Sequence, residues 1–215
     1  MEEKTIKNKR ITRITINAMM LAIILLMSFI PQLGYIEIPG FTSLTLIGLV
    51  VLIGAYLLPF YGGIFLGTVF GLTSLIVSLT TGAGNVMNIP FQNPVISLLP
   101  RVIFGLLASI AFYFVRTKFY YNKKLLPLMI GLASFLLSAI HSLMVLLLLV
   151  AFKQMGWPLF LTTISLNSVV EAVLAMIVVP MVAMSLYQLV PKYNDIPQKK
   201  DEKSRNNDEI PFEKE

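Results

Sequence analysis

The chain has 215 residues, of which 56% are hydrophobic and only 13% charged, against about 25% charged in a soluble globular domain. That composition excludes an ordinary soluble domain and marks an integral membrane protein. Cysteine is absent, which excludes disulfides, thiolate metal sites and a cysteine nucleophile, and the net charge of +6 sits at the ends and in one loop rather than along a nucleic-acid-binding face.

Residues 1–13 are basic (Lys4, Lys7, Lys9, Arg10, Arg13) and precede the apolar run Ile14–Ile30. That run ends in Pro31-Gln32-Leu33-Gly34 without a small-residue cleavage pattern, so a retained first helix is expected. Five more apolar segments follow: Leu44–Leu58, Ile64–Thr80, Val95–Val115, Leu125–Phe152 and Leu159–Val190. About 20 helical residues span a hydrocarbon core of about 30 Å, so the second and third are short and the last two long. The fold class expected is all-α: an integral membrane bundle of six transmembrane helices over residues 14–190. Residues 191–215 are polar and mixed in charge, and disorder is expected there.

Arg116, Lys118, Lys123 and Lys124 fill the loop after the fourth segment, and Lys192, Lys199, Lys200, Lys203, Arg205 and Lys214 lie in the tail. With the five basic residues at the start, fifteen of 17 fall on one side of a six-span arrangement. The excess of Lys and Arg on cytoplasmic loops then places both termini in the cytoplasm. The outward loops become Pro31–Ser43, Thr81–Pro94 and Lys153–Pro158. Their aromatic residues Tyr35, Phe41, Phe91 and Trp157 fit a belt at headgroup level, and their glycines also fit a lid over an outward-facing cavity.

Small residues recur at intervals of four: Ala18 and Ala22 in the first segment, and Gly63, Gly67 and Gly71 around the third. Such spacing lets helices approach closely in lipid. The glycines are expected to pack within the protein. The alanines fit internal packing and contact with another membrane subunit equally well.

Four strongly charged residues remain outside the cytoplasmic segments: Glu37 and Lys153 in outward loops, and Arg101 and Glu171 inside apolar spans. A charge within the membrane costs about 2.5–3.5 kcal/mol on insertion scales and needs a partner or a task. Arg101 follows Asn93-Pro94-Val95-Ile96-Ser97-Leu98-Leu99-Pro100, with two prolines bracketing the entry of its span. Arg101, His141, Asn167 and Glu171 fall at depths where they can line one cavity, with Asn93, Ser97 and Ser138 as further polar groups. Either Arg101 pairs with Glu171 and holds helices together, or the set forms a pocket in which Arg101 or His141 meets an anionic group. No phosphate-cradling Gly-x-x-x-x-Gly-Lys-Ser/Thr loop or metal-ligand cluster is present. No enzymatic activity, metal or cofactor is expected.

The chain resembles the substrate-binding S components of energy-coupling factor (ECF) vitamin transporters. The resemblance rests on six short spans, the Ala18-x-x-x-Ala22 first helix, and Leu44-Thr45-Leu46-Ile47-Gly48 through Gly54-Ala55-Tyr56-Leu57-Leu58-Pro59-Phe60-Tyr61-Gly62-Gly63. It continues in Gly67-Thr68-Val69-Phe70-Gly71-Leu72-Thr73-Ser74-Leu75 and covers about residues 12–190. Asn93-Pro94, Pro100-Arg101-Val102-Ile103-Phe104-Gly105, Asn167 and Glu171 are most similar to the pantothenate-specific branch. The resemblance implies a bacterial cell-membrane protein that binds a water-soluble vitamin through residues such as Asn93, Ser97, Arg101, His141, Asn167 and Glu171. It also implies partners, namely a transmembrane T component facing Ala18 and Ala22 and two ATPase subunits that supply ATP hydrolysis. The alternatives are an S component for riboflavin, folate or a similar vitamin, a small intramembrane enzyme using His141 and Glu171, or an envelope scaffold.

Overall fold

The computed structural model describes residues 2–36, 44–81 and 86–186; Glu37, Phe41 and the polar tail lie outside them. Helix α1 (Glu2–Phe29) leads into the single turn α2 (Pro31–Gly34) and a two-stranded antiparallel ribbon. In this ribbon β1 (Tyr35–Ile36) pairs with β2 (Leu44–Thr45), with Tyr35 opposite Thr45. Helices α3 (Ile47–Leu57) and α4 (Phe60–Thr81) follow, then a 3₁₀ helix (Val86–Gln92), α5 (Pro94–Phe119) and α6 (Leu125–Ala151). The last membrane segment is continuous from α7 (Trp157–Thr163) through a π-helical turn (Ile164–Ser168) into α8 (Val169–Ser185).

Among the described residues, five helices are long and apolar enough to cross a membrane: Ile11–Phe29, Phe60–Thr80, Pro94–Phe119, Leu125–Ala151 and Trp157–Ser185. The expected second segment differs. Its first residues enter the ribbon, and α3 has 11 residues, about 16 Å of rise against a core of about 30 Å. Pro59 sets its end, because the residue before a proline is driven out of the helical region, and Leu58 is extended at φ −91° and ψ 163°.

The start of α5 follows local chemistry closely. The Asn93 side chain accepts a hydrogen bond from the Val95 N–H at 3.0 Å, and Pro94 takes the first helical position, where a missing N–H costs nothing. Pro100 lies inside the helix. Having no N–H, it leaves the carbonyl of Ile96, four residues earlier, without its helical donor. The guanidinium of the next residue, Arg101, donates to that carbonyl from Nη1 at 2.6 Å.

The core joins α1, α3, α4, α5, α6 and α8 around fully buried Ile24, Leu52, Tyr56, Phe70, Phe104 and Phe112. Tyr56 meets Phe112 edge to face at 5.8 Å. The glycines of α4 pack inside the protein, as expected. A Cβ on Gly67 would press on the Arg101 carbonyl oxygen and lie 2.9 Å from the Gly105 Cα, so the α4 and α5 backbones are in direct contact. Because both obstacles are backbone, Gly67→Val is expected to cost at least about 3 kcal/mol and lower the midpoint of thermal unfolding by about 6–12 °C. Thermal unfolding in detergent checks this, and a midpoint within about 2 °C of the parent would refute it.

Arg116 departs from its expected place. The loop reading counts it among exposed topology charges, but α5 continues to Phe119 and carries Arg116 inside the bundle, 3% exposed. Its Nη1 donates to the carbonyls of Ala55 and Leu58 at 3.0 Å, and also to that of Tyr56. These carbonyls are at the C-terminal end of α3, where orphan acceptors and the negative end of the helix dipole favour a cation.

Candidate small-molecule site

Three helices and the ribbon converge at the N-terminal end of α3. A cavity of about 20 Å³ lies there, lined by Thr45, Gly48, Leu52, Phe104, His141 and Glu171 among others, with Ser138 also on its wall. That is room for about one water, whereas pockets for organic ligands occupy about 300–1,000 Å³. A vitamin-sized guest therefore enters only if a wall moves.

Glu171 does not pair with Arg101: no contact within ion-pair distance joins these two described residues. Its Oε1 accepts from the Thr45 backbone N–H at 2.6 Å, and its Oε2 accepts from the Ser142 hydroxyl at 3.0 Å. Glu171 thus ties α8 to the ribbon and to α6. Each carboxylate oxygen keeps a second lone pair for a further donor.

Arg101 is 6% exposed, and its guanidinium carbon lies 5.4 Å from the Phe70 ring centre and 4.9 Å from that of Phe91. Aromatic faces stabilise a desolvated cation by about 2 kcal/mol or more. They do not use its N–H donors, and Arg101 Nε has no hydrogen-bond partner. His141 stands next in line, its ring 6.1 Å from Phe70 and 4.6 Å from Phe104, and its buried Nε2 also lacks a hydrogen-bond partner. Ser97 Oγ is buried and unpartnered as well, unlike the usual helical serine that bonds its own backbone. Each such unmet group costs about 1–3 kcal/mol in an apolar interior.

The expected residues therefore separate. His141 and Glu171 form the cavity wall, and Arg101 stands behind Phe70, beside them. Ser97 is one turn before Arg101 on α5. Asn93 serves as the cap of α5, and Asn167 is buried in the π-helical turn; neither lines the cavity. One residue counted with the aromatic belt also touches this site. Phe91 faces Arg101. Burial raises the pKa of the Tyr35 hydroxyl, and the Arg101 charge acts in the opposite direction. Ala18 and Ala22, by contrast, lie on an exposed face of α1.

The described residues thus form a bundle of long apolar helices with buried, unmet polar groups beside a small cavity. Residues 12–183 match the family of ECF transporter substrate-specific components. The chain belongs to that family. It is also similar to the pantothenate transporter PanT of Leuconostoc mesenteroides subsp. mesenteroides, 35% identical over 108 residues, which cover 49% of this chain and 52% of that protein. The aligned stretch thus spans about half the length of the relative.

Proposed function

We propose that the chain is the high-affinity substrate-binding membrane subunit of an ECF-type ABC importer in a bacterial cell membrane, and that its substrate is pantothenate. The observation that carries this reading is the buried Arg101 guanidinium, which among the described residues has an unmet donor and no carboxylate partner, close to His141 with its unmet Nε2. Pantothenate is a flexible carboxylate with hydroxyl and amide groups. Arg101 suits its carboxylate, while Ser97, His141 and Glu171 suit its hydroxyl and amide groups. Asn93 and Asn167 are assigned to the same site on the strength of the family resemblance.

In this reading Leu44–Leu58, which contains α3, counts as the second of six spans over residues 14–190, and both termini are cytoplasmic. Residues 1–13 and 191–215 form the polar ends. A T component docks on Ala18 and Ala22, and two ATPase subunits provide the nucleotide chemistry. The chain itself is not an enzyme. That reading is supported by the match to transporter substrate-specific components.

The deciding experiment is binding of labelled pantothenate to the detergent-purified chain, with riboflavin and folate as competitors. Saturable binding displaced only by unlabelled pantothenate is expected. Tight binding of another vitamin would overturn the substrate and keep the subunit class, and binding of none would overturn both.

A further inference from the structure

Helix α3 is too short to reach water at both ends, so its terminal backbone groups must be satisfied by the protein around it. Its N-cap residue, Leu46, supplies no side-chain cap. The Leu46 N–H is taken by the Gly34 carbonyl at 2.9 Å, and the carboxylate of Glu171, from α8, takes the Thr45 N–H immediately before the helix. At the other end the guanidinium of Arg116, from α5, takes the carbonyls of Ala55, Tyr56 and Leu58. An anion at the N-terminus and a cation at the C-terminus both match the helix dipole. Neither charge lies in an ion pair with the other.

Between these two anchors, Gly48, Leu49 and Leu52 form one wall of the cavity. The α5 wall, at Phe104, is backed by α4 in direct backbone contact at Gly67 and Gly105. The α3 wall meets α4 through side chains, Gly54 against Leu66 and Ala55 against Gly63, and its two ends are tied by polar side chains. Since the cavity must widen to admit a vitamin, α3 and the ribbon ahead of it are the wall best placed to move.

We propose that Arg116 is a positioning residue for ligand retention: together with Glu171 it fixes α3, and so sets how readily that wall gives way. Arg116 touches no ligand, being fifteen residues along α5 from Arg101, about 22 Å by helical rise. Its effect passes through α3 as a rigid rod. The ligand readout of this proposal rests on the pantothenate-binding reading; the backbone readout does not.

The test uses the full chain in detergent, comparing the parent with Arg116→Met and Arg116→Lys. Two quantities are measured: dissociation of labelled pantothenate, and hydrogen exchange of the Thr45 and Leu46 amides without ligand. Arg116→Met is expected to release pantothenate about tenfold faster with association changed less than about twofold, and to raise Thr45 exchange by about tenfold. Arg116→Lys, which keeps a cation and its donors, is expected to stay close to the parent. A folded Arg116→Met chain with unchanged dissociation and unchanged Thr45 exchange would overturn the proposal. If Arg116→Met does not fold, Arg116→Gln, which keeps two N–H donors without the charge, carries the same test. A parent chain that fails to bind pantothenate overturns the substrate, and Thr45 exchange alone then decides the role of Arg116.

Discussion

Replacing Arg101 with methionine is expected to abolish high-affinity pantothenate binding while the chain still inserts and folds. Methionine has similar length and remains compatible with the slot between Phe70 and Phe91, so packing is largely kept. The loss is electrostatic. Removing one partner of a buried, hydrogen-bonded charge pair costs about 2–5 kcal/mol, or at least about 30-fold in affinity. Stability should change far less, because two effects oppose each other. The Ile96 carbonyl loses its donor at a cost of about 1–3 kcal/mol, and the bundle no longer has to bury a cation. Arg101→Lys is expected to fall between, keeping the charge but losing the planar fork that meets a carboxylate at two points. Titration of labelled pantothenate alongside thermal unfolding checks all three statements. Unchanged affinity in Arg101→Met would reduce Arg101 to a donor for the carbonyl that Pro100 leaves open.

Ala18→Leu combined with Ala22→Leu is expected to stop vitamin uptake while leaving binding intact. Only 17% of the α1 membrane segment is buried within the protein. Its exposed face carries Ile14, Met19, Leu26 and Phe29, with Ala18 and Ala22 as the small residues among them. Two small residues one turn apart let another helix come close, and leucine at both fills that gap. A loss of about 1.4 kcal/mol in docking already lowers assembly about tenfold. Uptake in cells and pantothenate binding to the purified variant separate the two effects. Normal uptake would refute the docking assignment, and lost binding would show that the face matters to the site instead.

Much of this was legible in residue type and spacing. Long apolar runs, Asn93-Pro94 as a helix start, and the meeting of His141 and Glu171 at one cavity all follow from local rules. So does the link from Pro100 to the Ile96 carbonyl, had the missing N–H been followed four residues back. The partner of Glu171 was not legible. Thr45 is 126 residues away in sequence and bonds through its backbone, which leaves no side-chain signature. Arg116 was misplaced for a different reason. The rule that sorts basic residues into cytoplasmic loops cannot tell a loop arginine from one in the last turns of a helix that runs on to Phe119. Phe91 looks like an interfacial aromatic by position alone, and only the fold sets its ring against Arg101. The π-helical turn that holds Asn167 has no compositional mark.

The brevity of α3 has one more consequence. Along most of this protein, a charged solute crossing from one aqueous phase to the other faces an insulating layer set by helices of more than twenty residues. Along α3, the polar groups at Thr45 and at the Arg116 end are separated by only about 16 Å of apolar helix. The dielectric barrier there is roughly half a bilayer thick. A polar group at Thr45 is therefore separated from the Arg116 end by that short apolar length alone.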